Sequence, residues 1–284
     1  MRTVFGFCDT VLLKEDPNYE YIAVANQDRY RFRNQIIYNS NSMRSQEIDP
    51  KSSIILGFGD SVLNGGVVTD HSDLATTILS DSLTNISGGK TQFLNISAGS
   101  WGPDNCFAYL HKHGDLNSKA IYLFVSSHDA YDNMTFDKVV GVEKYFPNKQ
   151  YGSAIYEVID RYLIPKMYSS FKNKKADTEK NIGINKQKPK SEFNSGFANF
   201  VNYSITNDIS FTIYLHAELS ELKAGAYNKQ GQRIVDFANT NHIPIIKALD
   251  YGFNKQDYRD HIHLSESGQE KIAQIILKHI DSNL

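Results

Sequence analysis

Cysteine is almost absent from this chain. Its 284 residues hold two, Cys8 and Cys106, too far apart for a metal-ligand spacing and too few for a disulfide framework, so they read as two free thiols. An excess of charge of either sign is missing as well. Thirty Lys plus Arg face 32 Asp plus Glu, a net of −2, so no field draws the molecule toward nucleic acid or an anionic membrane. No run of about 18 apolar residues is present to span a bilayer. Residues Met1 to Asp16 lack the basic start, apolar middle and small-residue cleavage site of an export signal. As written, the chain reads as cytoplasmic, whereas a signal or anchor missing from its start would place it outside the cytoplasm. No internal repeat is present, and nothing sets an oligomeric state.

What remains is 40% hydrophobic and 22% charged, enough to bury a full core in one domain. Residues 1–50, rich in Tyr, Arg, Asn and Gln from Pro17 onward, show no sustained period and are expected to form an extended arm wrapping the core. Short strands are expected in it near Tyr21 to Ala25 and Gln35 to Tyr38. Along residues 51–284 one pattern of elements recurs: a short β-branched or aromatic run, a Gly/Ser/Asp turn, then a segment with helical spacing. Strands are expected at Ser53 to Phe58, Thr91 to Ile96, Ala120 to Ser126, Ser210 to Leu215 and Pro244 to Ala248. Helices are expected at Leu74 to Leu83, Asp104 to Lys112, Ser153 to Tyr162, Gln230 to Thr240 and Ser265 to Ile280. Strands apolar on both faces that alternate with helices predict an α/β fold with a parallel sheet covered on both sides, binding ligands at its carboxyl edge. The stretch 171–197 breaks the pattern with Lys, Asn, Ser and Gly and is expected to be a Lys-rich surface insertion, either a solvated face or a basic lid.

Two short stretches carry chemistry. Gly57-Phe58-Gly59-Asp60-Ser61 follows the first strong strand, so the Ser61 hydroxyl would stand clear at the sheet edge with its N–H facing a developing oxyanion. The same tripeptide also suits a plain strand-to-helix turn. Near the other end lies Tyr258-Arg259-Asp260-His261-Ile262-His263-Leu264-Ser265, just before the last helix. A serine hydroxyl needs an imidazole to take its proton, and the imidazole needs a carboxylate to fix its tautomer; Asp260 and His263 can supply both from one loop. The alternatives are a capping Asp260 with a packing histidine, or a metal held by Asp260, His261 and His263, which lacks a fourth ligand at a recognisable spacing.

Gly-Asp-Ser at the start of the core and Asp-x-x-His before the last helix resemble the SGNH/GDSL hydrolase superfamily. Asn95-Ile-Ser-Ala-Gly-Ser-Trp-Gly-Pro-Asp-Asn resembles its second block, and Ser126-Ser127-His128-Asp129 stands where its third, Gly-x-Asn-Asp, is placed. The likeness covers about Ser53 to Leu284. It implies a three-layer α/β/α sandwich with a central parallel sheet of about five strands, flavodoxin-like, and a serine esterase or acylhydrolase working through Ser61, His263 and Asp260. The expected substrate is a small-molecule or carbohydrate O-acyl ester, with acetyl as the expected acyl group. An O-acetyltransferase acting on a bacterial surface polysaccharide is the alternative, and a non-catalytic binding module a third. No cofactor and no metal are implied.

The family's oxyanion hole combines the nucleophile's N–H, the N–H of the second-block glycine and the amide of the third-block asparagine. Here these fall on Ser61, on Ser100 with Gly99 as the alternative, and on His128, a histidine where the family has asparagine. An imidazole N–H can donate to an oxyanion as an amide does, although His128 could instead pack as a turn element beside Asp129. Trp101 could stack on a sugar or sit in the core. His216 could line the pocket or cap the next helix. His111 and His113 read as favourable charges at a helix C-terminus.

Overall fold

Along β5 (Ser53–Gly59), Ile54, Leu56 and Phe58 point to one side and Ile55 to the other, and all are buried, so both faces of this strand need a cover. The computed structural model, which describes residues 10–164 and 192–281, shows how they get one. β5 lies inside a five-stranded parallel sheet with β6 (Thr91–Ser97), β7 (Ala120–Val125), β8 (Ser210–Leu215) and β9 (Ile245–Lys247), in the order β6-β5-β7-β8-β9. This is the three-layer α/β/α architecture expected from the sequence.

One face packs α3 (Pro103–His113), α5 (Gly196–Asn207) and α7 (Lys229–Thr240) through Tyr109, Phe197, Phe200 and Ile234. The opposite face packs α2 (Ala75–Ser87) and α8 (Glu266–Asp281), with Leu79 and Leu83 one turn apart on α2 and Ile272, Ile275 and Ile276 on α8. Phe58 is fully buried, and its truncation to Ala would cost about 3–5 kcal/mol. The chain runs from β5 to β6 on one side and returns across β5 to β7 on the other, so the order reverses between β5 and β7. That switch point is where open parallel sheets form their ligand crevice.

Shorter helical segments lie among these elements. They include α1 (Ser61–Asn64), a 3₁₀ turn at Ser127–Ala130 after β7, α4 (Ala154–Val158, continued by a π-helical stretch Ile159–Leu163) and α6 (Leu219–Ala224). The arm holds two hairpins, β1 (Leu13–Asp16) with β2 (Glu20–Ala23), and β3 (Gln27–Arg31) with β4 (Asn34–Tyr38). Tyr19, Tyr21, Ile22 and Met43 join the core on the α3 side.

Most of the Lys-rich stretch lies outside the described residues. Its last part is not a surface insertion: Asn194 is buried and donates to Asp104, and Phe197 is fully buried on α5. The apolar face of α5 overrides the polar composition that precedes it. Among the described residues no helix is long and apolar enough to cross a membrane.

Candidate active site

Ser61 opens α1 directly after β5. Asp60 caps that helix, its Oδ1 accepting from the Val62 N–H at 2.8 Å. Gly59 leaves room at this turn, where a Cβ would lie 3.1 Å from both Leu63 Cβ and the Phe124 carbonyl oxygen, tighter than ordinary contact. Two buried amides hold α1 in place. Asn95 donates to the Leu63 carbonyl at 2.8 Å, and Gln269 of α8 donates to the Val62 carbonyl at 3.0 Å. Asn95 therefore lies within β6 and acts as a brace for the serine turn.

From the far end of the chain, His263 brings Nε2 to 2.9 Å from Ser61 Oγ, and its Nδ1 lies 2.7 Å from Asp260 Oδ2. A carboxylate only accepts, so Nδ1 carries the proton and Nε2 is left as the acceptor for the serine O–H. Burial would raise the Asp260 carboxyl, but N–H groups of Ile262 and His263 and the His263 ring outweigh it and hold it down at about 2. Both ring nitrogens of His263 are thus engaged, while the His261 ring is 80% exposed, so Asp260, His261 and His263 do not converge as a ligand set.

The end of β8 fastens this loop. Tyr258 Oη donates to the Ala217 carbonyl at 2.6 Å, the Leu219 N–H to the His261 carbonyl at 2.9 Å, and His216 Nε2 to the Ile262 carbonyl at 2.8 Å. His216 neither lines the pocket nor caps a helix. It is 1% exposed, and burial pushes its pKa down to about 4, so it is a neutral imidazole.

Ser100 follows β6 and has φ +60°, the left-handed conformation that glycine favours, whereas Gly99 does not. The backbone thus assigns the glycine-like geometry to Ser100. Tyr21 of the arm fixes this turn by donating to the Gly99 carbonyl at 2.8 Å. His128, in the turn after β7, is surrounded by acids. Its Nε2 lies 3.7 Å from Asp129 Oδ1 and 4.0 Å from Asp60 Oδ2, and its Nδ1 3.5 Å from Glu218 Oε1. Burial pushes the Asp60 and Asp129 carboxyls up, Asp129 further because Asp60 lies beside it.

Asp60, His128 and Asp129 bring potential metal-ligating atoms within 4.8 Å of one another. One oxygen of each carboxylate already accepts a backbone N–H, that of Val62 or of Ser126.

Trp101 is core: it is 1% exposed, donates to the Tyr21 carbonyl and packs on Tyr19 and Tyr109. His111 and His113 sit in the last turn of α3, where His113 stacks on Tyr109. Cys106 is a buried free thiol whose pKa is pushed up by burial, and Cys8 lies outside the described residues. Ser61, Ser100 and His263 open into a cavity of about 480 Å³. Much of its wall comes from the arm, which sequence patterning did not connect to the site. Glu218 was missed too, although its place two residues beyond His216 put it at the same sheet edge.

Fold and geometry together define an α/β/α sandwich with a serine, histidine and aspartate gathered at the carboxyl edge of a parallel sheet. No family model matches the chain, and no curated protein matches it. Solved structures similar to it include TesA, with 11% identity, a TM-score of 0.49, and 82% of this chain and 100% of that one covered. A lipase/acylhydrolase from Enterococcus faecalis has 11% identity and a TM-score of 0.47, covering 82% and 97%. Est24, a carbohydrate acetylesterase from Sinorhizobium meliloti, has 12% identity and a TM-score of 0.46, covering 82% and 100%.

Proposed function

We propose that this chain is a serine acyl-ester hydrolase of the SGNH/GDSL type, with Ser61 as nucleophile, His263 as general base and acid, and Asp260 as the group that orients the imidazole. The observation that carries this reading is the continuous pair of contacts from Ser61 Oγ to His263 Nε2 at 2.9 Å and from His263 Nδ1 to Asp260 at 2.7 Å.

Ser61 Oγ attacks the ester carbonyl while its proton passes to His263 Nε2. The backbone N–H groups of Ser61 and Ser100 and the His128 ring surround the oxyanion. As the tetrahedral intermediate collapses, the bond to the alcohol oxygen breaks and His263 returns its proton to that oxygen. Water then attacks the acyl-enzyme, giving a proton to His263. The bond to Ser61 Oγ breaks, Ser61 regains the proton and the carboxylic acid leaves. No cofactor enters this scheme. The partly exposed polar side chains of His128 and Glu218 suit a hydroxyl-rich alcohol, which supports a carbohydrate ester as substrate.

Hydrolysis of p-nitrophenyl acetate by the wild type and by Ser61→Ala tests the reading, together with mass spectrometry after treatment with a fluorophosphonate. The expected result is a drop on the order of 10⁴-fold in kcat for Ser61→Ala and a single adduct on Ser61. Equal rates, or an adduct elsewhere, would overturn it.

A further inference from the structure

Ser61 stands between two unlike surfaces. Toward β7 and β8 lie the partly exposed side chains of His128 and Glu218, over the buried carboxyls of Asp60 and Asp129. On the side of the arm is the cavity of about 480 Å³, whose walls include Val11, Leu13, Ala23, Val67, Ala98 and Phe146; none of the four polar residues lines it. Resting on the serine-esterase reading, we propose that this cavity is an acyl pocket built by the N-terminal arm, and that it takes a medium-length hydrocarbon acyl chain rather than the acetyl group implied by the resemblance.

Size is the first argument. At about 30 Å³ per heavy atom, the share of a water molecule in the liquid, the three heavy atoms of an acetyl group fill roughly a fifth of the space. A chain of about eight to ten carbons fills more than half by the same measure. An apolar wall left without contacts forfeits its dispersion energy, so the short acyl group is the poorer fit.

The polarity of the two sides decides which half of the ester goes where. His263, which returns the proton to the departing alcohol, keeps a third of its side chain exposed, so the alcohol leaves toward solvent. Ala23, Tyr38 and Ala98, which line the cavity, are buried. The part of the substrate held there stays with Ser61 in the acyl-enzyme.

The arm is fixed for this task. Leu13 pairs with Ala23 across the first hairpin, and Val11 and Leu13 both line the cavity. The buried side chain of Gln27 clamps the residue between them, accepting from the Leu12 N–H at 2.8 Å and donating to the Leu12 carbonyl at 2.9 Å.

The test is a series of p-nitrophenyl esters from acetate to dodecanoate, hydrolysed by the full-length chain, with Ser61→Ala as the background. In the wild type, kcat/KM should rise about fourfold per methylene up to octanoate or decanoate and fall for the longest chains. Val67→Trp and Leu13→Trp should move the optimum to shorter esters, and Leu13→Ala, which only removes atoms, to longer ones. An optimum at acetate in the wild type overturns the proposal while leaving the esterase reading standing. A profile that none of the three variants shifts overturns it too. Hydrolysis of no ester above the Ser61→Ala background would instead sink the esterase reading, and the pocket's role with it.

Discussion

The buried imidazole of His216 donates its Nε2–H to the Ile262 carbonyl at 2.8 Å, and the peptide it grips is the one that joins Ile262 to His263. Asp260 Oδ1 accepts the N–H of that same peptide at 2.8 Å. The proposed base is therefore held by its backbone from two sides before its ring meets Ser61. His216 is a positioning residue in this scheme. His216→Gln, which keeps a neutral donor, should hold kcat within about fivefold, whereas His216→Ala should lower it about 10–100-fold with a smaller change in KM. Equal losses in the two variants, or a change confined to KM, would show that the hydrogen bond does not position the base.

The same residue gives stability a pH slope. Unfolded, His216 takes up its proton near 6.5, whereas burial delays this to about 4 in the fold. Between those values the unfolded chain binds the extra proton, so acidification through that window favours unfolding. His71, pushed down to about 4 by burial and then by the Arg44 charge, has the same sign. Asp60 and Asp129, raised by burial, have the opposite one. The His216 share is isolated by comparison with His216→Gln: between pH 7 and 4.5 the wild type should lose at least about 2–4 °C more in Tm than the variant. Parallel pH dependences in calorimetry would contradict this.

The Nε2 of His128 faces Asp129 and Asp60 and its Nδ1 faces Glu218, and the ring is the third proposed oxyanion donor. Removing it as His128→Ala should lower kcat about 10²–10³-fold. His128→Asn, which restores an amide donor, should recover most of that loss, while His128→Phe should not. Steady-state kinetics on one ester compares all three. Full activity in His128→Phe would assign the oxyanion to the backbone donors alone.

How far the sequence spoke for itself follows the range of each signal. β5 and the turn to Ser61 were legible because an apolar run meets Gly59 and Asp60 within seven residues. Asp260 and His263 were legible because one loop holds both. The glycine-like turn was placed by counting from Asn95, although Asn95 itself proved to be a brace inside β6. The arm was not legible in the same way. Its hairpins pair polar residues such as Gln35 with Tyr30, which leaves no period, and Val11, Leu13 and Ala23 gain meaning only when folded against Val67. Helix α5 was hidden by the polar composition that precedes Phe197, and the carboxylates around His128 come from three separate segments.

Ser100 tests whether the proposed second oxyanion donor is a backbone group. At φ +60° an L side chain costs on the order of 1 kcal/mol, and glycine relieves that strain while giving up a similar amount in chain entropy. Ser100→Gly should therefore leave stability within about 1 kcal/mol and kcat within about threefold, because the N–H and the turn are both retained. Ser100→Ala should behave alike if the hydroxyl plays no part. Ser100→Pro has no N–H and cannot reach positive φ, so its kcat should fall about 10²–10³-fold, with circular dichroism checking that the fold survives. A loss in Ser100→Gly as large as in Ser100→Pro would move the role from the backbone to the serine side chain.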